Sequence, residues 1–316
     1  MKGIETISLI GLGALGSAFA SQIAKFLPWE NIRVIAGGER AERYKTEGID
    51  INGENLKFNV FAPEEKCEPA DLLIFAVKFN QLDEAIEQAK NHIGNDTIII
   101  SLLNGITSEE IIGSVYGMEK MIYSVSFGID AVRKGNSVNY QNLGSVAFGE
   151  KINILDRYSD KVLRLKEFFT RTQINYSIPE DMLRTLWWKF MLNVGINQTS
   201  AVLHAPYGVF QSVKEARDIM IAAMQEVINI SAEADINLGQ ADIEELLKVI
   251  GGLSPTGKTS MLQDIEAGRQ TEVNIFAGTM VELGKKYGVH TPVNQMLLAV
   301  IRAKEEMFEY LLHMSD

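Results

Sequence analysis

The chain has 316 residues, 46% of them hydrophobic and 22% charged, a balance typical of globular proteins and unlike that of disordered or fibrous chains. A net charge of -11 disfavours nucleic acid as a partner, because an acidic surface repels a phosphate backbone. Its single cysteine, Cys67, excludes an intrachain disulfide, and no apolar run is long enough to span a membrane. We therefore expect a cytoplasmic protein with no membrane partner, and the length favours two domains.

The first half of the chain alternates short apolar, β-branched runs with helical stretches. This alternation predicts βαβ units around a parallel sheet, whose strands are apolar because helices cover both faces. The predicted parallel strands are residues 7–10, 32–36, 72–77 and 97–103. Three later runs are predicted to finish the sheet in antiparallel fashion: 121–127, 137–140 and 145–148.

From about residue 179 the pattern changes to helical spacing, as in residues 216–234, 242–250 and 272–287. We place the boundary near residues 177–180, where Pro179 is expected to open a helix at its first turn. The predicted class is α/β. A Rossmann-type doubly wound sheet occupies residues 1–178, and an all-helical domain occupies residues 179–316.

A glycine-rich turn follows the first predicted strand and precedes a predicted helix at residues 17–26. Gly11, Gly13 and Gly16 have the spacing that allows a tight turn, close approach of a pyrophosphate, and close packing of helix on strand. The helix N-terminus adds free amides and partial positive charge. We expect a dinucleotide at this turn, and the alternative is a purely structural turn. The predicted binding residues are Gly11, Leu12, Gly13, Ala14, Leu15 and Gly16.

The second strand indicates which dinucleotide is preferred. NAD-binding folds of this kind end this strand with an acidic residue that holds the ribose hydroxyls, whereas here Ala36 is followed by Gly37 and Gly38. Arg40 and Arg43 lie close by and could pair with a 2′-phosphate. We therefore expect NADPH, with NADH as the alternative, in which both arginines simply belong to the solvated face of the next helix.

Four segments together resemble the ketopantoate reductase (2-dehydropantoate 2-reductase) family over essentially the whole chain. They are the glycine turn, residues 76–81, residues 103–105, and residues 188–197 taken with 260–272. The resemblance implies that Lys78, Asn104 and the backbone near Ala131 contact the cofactor. It also implies that the helical domain binds the substrate.

Within the helical domain, Lys189, Asn193 and Asn197 are spaced by four and so form one polar stripe on an otherwise apolar helix. The resemblance makes Lys189 the proton donor to the substrate carbonyl and the two asparagines substrate ligands. It also assigns Ser260 to the substrate carboxylate and Glu272 to the active site. On the residues alone, Lys189 could instead snorkel past two tryptophans, Ser260 could be a helix N-cap, and Glu272 could be an exposed helix acid.

The implied activity is NADPH-dependent reduction of ketopantoate to pantoate, on the route to pantothenate and coenzyme A. Gly37, Tyr207 and Gly257 replace residues that family members often use for the 2′-phosphate or the substrate. The alternatives are therefore a reductase of another branched or bulkier 2-keto acid, and a non-enzymatic dinucleotide sensor. Four isolated histidines predict no metal site. The oligomeric state is left open, with a homodimer among the alternatives.

Overall fold

The apolar runs of the first half pair as parallel strands, because each is buried on both faces and can be covered only by helices. The computed structural model describes residues 3–313, and the chain divides into two compact units between Leu183 and Arg184. The first unit is built on an eight-stranded sheet of order β12-β11-β8-β7-β6-β1-β2-β5. Its strands are β1 (Ile7–Ile10), β2 (Ile32–Ile35), β5 (Asn59–Phe61), β6 (Leu72–Phe75), β7 (Ile98–Ser101), β8 (Met121–Phe127), β11 (Ser145–Gly149) and β12 (Asn175–Ser177).

The helices of the first unit connect these strands in the manner of a doubly wound fold. They are α1 (Ala14–Ala24), α2 (Gly38–Thr46), α3 (Leu82–Ala89), α4 (Ser108–Tyr116) and α5 (Asp160–Arg171). The predicted α/β class with a Rossmann-like sheet is confirmed. The antiparallel finish is confirmed for β11, which pairs antiparallel with β8. The same prediction was wrong for β8 itself, which continues the parallel sheet beside β7.

The predicted strand at residues 137–140 is present, but it is not part of the main sheet. It forms part of a second sheet of order β4-β3-β10-β9. The strands of that sheet are β3 (Ile49–Ile51), β4 (Glu54–Leu56), β9 (Val132–Lys134) and β10 (Ser137–Asn139). Each has three residues, which is too short for periodicity to reveal. The prediction that this run extends the main sheet was wrong.

The second unit is helical throughout its described residues. Its helices are α6 (Met182–Leu192), α7 (Gln198–Leu203), α8 (Tyr207–Ser212), α9 (Lys214–Glu233), α10 (Gln240–Gly251), α11 (Ser260–Glu266), α12 (Thr279–Tyr287) and α13 (Pro292–His313). Two π-helical turns interrupt the α-helical pattern, at Asn193–Asn197 and Asn274–Gly278.

Pro179 does not open a helix, contrary to the sequence-based prediction, since α6 begins three residues later at Met182. The carbonyl oxygens of Pro179 and Glu180 instead accept hydrogen bonds from the Asn153 side chain and backbone amide, at 2.7 Å each. The segment after β12 is therefore held extended against residues 150–153, because its carbonyls are already engaged there.

Candidate active site

The chain order of the main sheet reverses between β1 and β6, and three predicted cofactor contacts lie beside this point. The glycine turn follows β1, Lys78 follows β6 and Asn104 follows β7. These strands are adjacent and parallel, so all three features share the carboxyl edge, where ligands bind in open α/β sheets. Ala131 lies apart in sequence, just before β9.

The structure gives each glycine of the turn a different role. Gly11 has a φ of +104°, and a Cβ there would lie 2.6 Å from the carbonyl carbon of Ala76. A Cβ at Gly16 would overlap the carbonyl oxygen of Gly11. At Gly13, however, a Cβ would meet only the Ala76 carbonyl oxygen, at 4.0 Å. The fold itself therefore requires Gly11 and Gly16, whereas Gly13 faces open space.

This open space suits a pyrophosphate. Gly13 is the N-cap of α1, no side chain caps that helix end, and its first turn contains no acidic residue. An anion placed there would receive the helix-terminal amides and the positive end of the helix dipole. The residues present therefore fit the diphosphate of a dinucleotide.

One contact at the turn was missed from the sequence. The Arg133 guanidinium, on β9, donates to the carbonyl oxygen of Leu12 and, through Nε, to the carbonyl oxygen of Gly135 at 2.9 Å. The second sheet thus braces the glycine turn. No pattern indicated this, because Arg133 is 121 residues from Leu12 and looks like an ordinary strand cation.

The two arginines predicted to choose the cofactor lie on α2. Arg40 is exposed in its first turn, close after Gly37. Arg43 is exposed in its last turn, with its guanidinium carbon 5.8 Å from the centre of the Tyr44 ring. Arg40 is thus the nearer in sequence to the end of β2, where the ribose is recognised in this fold.

A buried polar cluster lies beneath the loop that carries Asn104. The Ser101 and Ser108 hydroxyls are 2.8 Å apart, and the Ser108 hydroxyl donates to the Glu109 carboxyl group at 2.9 Å. The Ser124 hydroxyl donates to the Ser101 carbonyl oxygen at 2.6 Å. Burial raises the pKa of Glu109 to about 7, although its hydrogen bond from Ser108 opposes the shift.

This pKa predicts a stability effect with a defined sign. Between pH 4.5 and about 7 the folded state retains a proton that the unfolded state releases, so wild-type stability falls as pH rises through that window. We expect Glu109→Gln to raise the free energy of unfolding by roughly 1–3 kcal/mol at pH 8 and by little at pH 5. Urea titrations at both pH values measure this, with the exposed Glu244→Gln as control. An equal change at both pH values would contradict the prediction.

The three residues of the predicted polar stripe lie on a continuous helical segment, but part of that segment is π-helical and not α-helical. Lys189 lies on α6, whereas Asn193 and Asn197 lie at the two ends of the first π-helical turn. The Asn197 side-chain amide donates to the Asn193 side-chain oxygen at 3.3 Å, and both residues are buried. π-helical turns are rare in proteins, and those that occur are often found at functional sites.

Lys189 carries the clearest electrostatic signature in this unit. Burial of its ammonium lowers the pKa of Lys189 from 10.5 to about 8, and the negative charge of Glu272 opposes that shift. Lys189 and Glu272 therefore interact electrostatically although they are 83 positions apart in the sequence. An amine with this pKa can hold and release a proton near neutral pH.

Ser260 is the first residue of α11 and is exposed, so it is not the N-cap. The N-cap is Thr259, whose hydroxyl accepts from the Leu262 amide at 3.1 Å and donates to the Ser200 hydroxyl at 3.1 Å. The alternative interpretation of Ser260 as a cap was therefore wrong by one residue. Its hydroxyl lies at a helix N-terminus, a place suited to a carboxylate.

The two departures from the family pattern in this unit contact each other. The Tyr207 amide donates to the Gly257 carbonyl oxygen at 3.0 Å. A Cβ at Gly257 would lie 3.0 Å from Cδ2 of the Tyr207 ring. A side chain at position 257 is therefore opposed by the Tyr207 ring and also by the Ser254 backbone carbonyl oxygen, which lies at 3.0 Å from the same Cβ. Burial also raises the pKa of the Tyr207 phenol.

Among residues 3–313, no three His, Cys, Asp or Glu side chains come together in an arrangement that could hold a metal ion. Over the same described residues, no helix combines the length and apolar character needed to cross a membrane.

A glycine turn that suits a diphosphate, at the switch point of a Rossmann-like sheet, is typical of NAD(P)-dependent oxidoreductases, and the family and relatives of this chain place it in that class. The family model described as "Ketopantoate reductase PanE/ApbA" matches residues 7–153, and its C-terminal counterpart, "Ketopantoate reductase PanE/ApbA C terminal", matches residues 181–305. The chain belongs to the ketopantoate reductase family.

Individual relatives are similar to this chain over nearly its full length. The 2-dehydropantoate 2-reductase of Aquifex aeolicus is 27% identical over 94% of this chain and 96% of its own. A solved D-mandelate dehydrogenase, in ternary complex with NADH and anilino(oxo)acetate, has a TM-score of 0.84 at 24% identity and covers 96% of this chain and 99% of its own. The solved 2-dehydropantoate 2-reductase of Geobacter metallireducens has a TM-score of 0.82 at 22% identity, covering 94% and 99%.

Proposed function

We propose that this protein reduces ketopantoate to pantoate with NADPH, and so serves the route to pantothenate and coenzyme A. The observation that carries the proposal is the buried Lys189 ammonium. Its pKa is about 8, and the negative charge of Glu272 acts on it. Similarity to 2-dehydropantoate 2-reductases over 94% of this chain supports the choice of substrate.

A nicotinamide dinucleotide, once bound, would supply the hydride that the keto carbon accepts. Negative charge then develops on the keto oxygen, and the Lys189 ammonium stabilises that charge and transfers its proton to the oxygen. Asn193 and Asn197 orient the substrate by hydrogen bonds, and Ser260 binds its carboxylate at the N-terminus of α11. Glu272 keeps Lys189 protonated over a wider pH range by raising its pKa.

A second candidate is the reduction of a bulkier 2-keto acid. It is favoured by the contact of Tyr207 with Gly257, which places a half-buried aromatic ring where family members often have polar side chains. An aromatic surface binds apolar substituents better than it binds the hydroxyl group of ketopantoate. The fold shared with D-mandelate dehydrogenase agrees with this candidate without deciding it.

A substrate panel tests the function. Oxidation of NADPH, and separately of NADH, would be followed by absorbance with ketopantoate, branched aliphatic 2-keto acids and benzoylformate. We expect the highest kcat/KM with ketopantoate. Higher kcat/KM with benzoylformate would support the second candidate, and no oxidation with any 2-keto acid would favour a dinucleotide sensor.

The cofactor preference has its own prediction. Arg40→Ala should weaken NADPH binding about tenfold or more and leave NADH binding within about twofold, because only NADPH carries the 2′-phosphate that a charged hydrogen bond would hold. Titration of both cofactors measures the two dissociation constants. Lys45→Ala, in the last turn of the same helix, is the matched control, and equal losses for both cofactors would contradict the assignment of Arg40.

A further inference from the structure

One buried glutamine bonds to both π-helical turns of the second unit. Gln198 directly follows the first turn and is 0% exposed. Its side-chain oxygen accepts from the Ala277 amide of the second turn at 2.9 Å, and its side-chain nitrogen donates to the Val194 carbonyl oxygen of the first turn at 2.8 Å. No catalytic role assigned above involves Gln198.

Both partners are backbone groups that the widened turns displace from α-helical pairing. In the second turn the Gly278 amide donates to the Val273 carbonyl oxygen, five residues earlier, at 3.1 Å. In an α-helix that carbonyl oxygen would accept from the Ala277 amide instead. In the first turn the Gln198 amide bonds to the Gly195 carbonyl oxygen, whereas an α-helix would pair that amide with the Val194 carbonyl oxygen. One carboxamide thus satisfies a displaced donor in one turn and a displaced acceptor in the other.

The glutamine is in turn held by two further buried residues. Its nitrogen also donates to the Asn294 side-chain oxygen at 3.1 Å, and the Asn294 side-chain nitrogen donates to the Glu226 carboxylate at 2.7 Å. Glu226 accepts in addition from the amides of Val293 and Asn294, at 2.8 and 3.0 Å, in the first turn of α13. Asn294 is 0% exposed and Glu226 is 6% exposed.

The direction of each hydrogen bond in this network, from Ala277 through Gln198 and Asn294 to Glu226, is determined. The Ala277 amide can only donate, so the Gln198 oxygen must face it. The Gln198 nitrogen then faces Asn294, whose own nitrogen faces a carboxylate that can only accept. A network with both ends defined has one arrangement, which suits it to fixing the distance between two backbone segments.

These two segments carry the proposed active-site groups. The first turn begins and ends with Asn193 and Asn197. The second begins at Asn274, two residues after Glu272. We propose that Gln198 is a positioning residue, whose carboxamide sets the separation of the two π-helical turns and so places Glu272 relative to Lys189 and the asparagine pair. The inference rests on the proposed function.

The test compares two glutamines of the same unit. Gln198→Met keeps the length of the side chain and removes its hydrogen bonds. Gln211→Met is the matched control, because the Gln211 nitrogen also bridges backbone carbonyls, those of Ile250 and Leu253 at 3.0 and 2.9 Å, away from both turns. Thermal unfolding gives the stability of each variant, and kcat is measured against pH with the best 2-keto acid of the panel.

We expect Gln198→Met to lower kcat by about tenfold to a hundredfold, since a displacement near 1 Å can cost that much. The alkaline limb of its pH profile, where kcat falls as Lys189 loses its proton, should also move to lower pH. The reason is that Glu272 would no longer stabilise the charge on Lys189 as closely. A merely structural role would lower stability without moving that limb. Gln211→Met should keep the wild-type kcat and limb.

Gln198→Glu provides a second measurement if the methionine variant does not fold. When protonated, the new carboxyl group can still accept from Ala277 and donate one hydrogen bond. Its kcat relative to wild type should therefore be highest at acidic pH and fall as the buried group ionises. A ratio independent of pH, or a folded Gln198→Met with wild-type kcat and limb, would overturn the inference alone. A wild-type protein inactive with every 2-keto acid would overturn the proposed function and this inference with it.

Discussion

Lys189→Met is expected to lower kcat by about a hundredfold or more, the usual scale for removing a positioned general acid, with cofactor affinity nearly unchanged. In the wild type, kcat should fall as pH rises through about 8, because the donor is then deprotonated. The variant should lose this alkaline limb. Steady-state kinetics between pH 6 and 10 measure both effects.

Lys304→Met is the matched control for Lys189. The Lys304 ammonium donates to the carbonyl oxygens of Ala201 and Val202, at 3.1 and 2.8 Å, and burial lowers its pKa as well. This variant should lose stability and keep both kcat and the alkaline limb. If Lys189→Met instead behaves like the control, Lys189 only packs beside Trp187 and Trp188, and the proposed mechanism is wrong.

Gly13→Val is expected to weaken dinucleotide binding by a factor of about a hundred or more while the protein remains folded. The reason is steric, because the side chain would occupy space that the protein leaves open and a pyrophosphate would need. Backbone strain does not contribute, since Gly13 has a φ of -71°, which valine tolerates. Fluorescence titration with each dinucleotide measures the affinity.

Gly239→Val is a suitable control for this substitution. Gly239 also has an extended backbone, and a Cβ there would meet nothing within 4 Å. It should bind the dinucleotide as the wild type does. Unchanged affinity in Gly13→Val would exclude the turn as the pyrophosphate site, whereas an unfolded Gly13→Val would show that the fold itself requires this glycine.

Hydrophobic pattern predicted the main sheet well, because its parallel strands are buried on both faces and appear as continuous apolar runs. Residues 7–10 and 121–127 match β1 and β8 at both ends. Pattern did not locate β3, β4 or β9, nor the edge strand β5 of the main sheet, since three residues are too few to show alternation. The pairing of β10 depends on β3, whose paired residues lie 87 positions earlier and leave no local signal.

The sequence placed Lys189, Asn193 and Asn197 on one polar stripe but did not indicate the π-helical turn on which the two asparagines lie. A spacing of four places Lys189, Asn193 and Asn197 on one side of either an α-helical or a π-helical segment, so the sequence could not distinguish the two. Gln198 gave no signal, because its partners are backbone groups 4 and 79 positions away. Burial of the Lys189 ammonium likewise depends on packing that only the folded unit supplies.

The contact of Tyr207 with Gly257 also limits how this protein can change by mutation. A larger residue at position 257 would collide with the tyrosine ring unless the ring moved aside or became smaller. A smaller residue at position 207 would leave a gap beside a glycine that cannot fill it. The fitness effect of a substitution at either position therefore depends on the residue at the other.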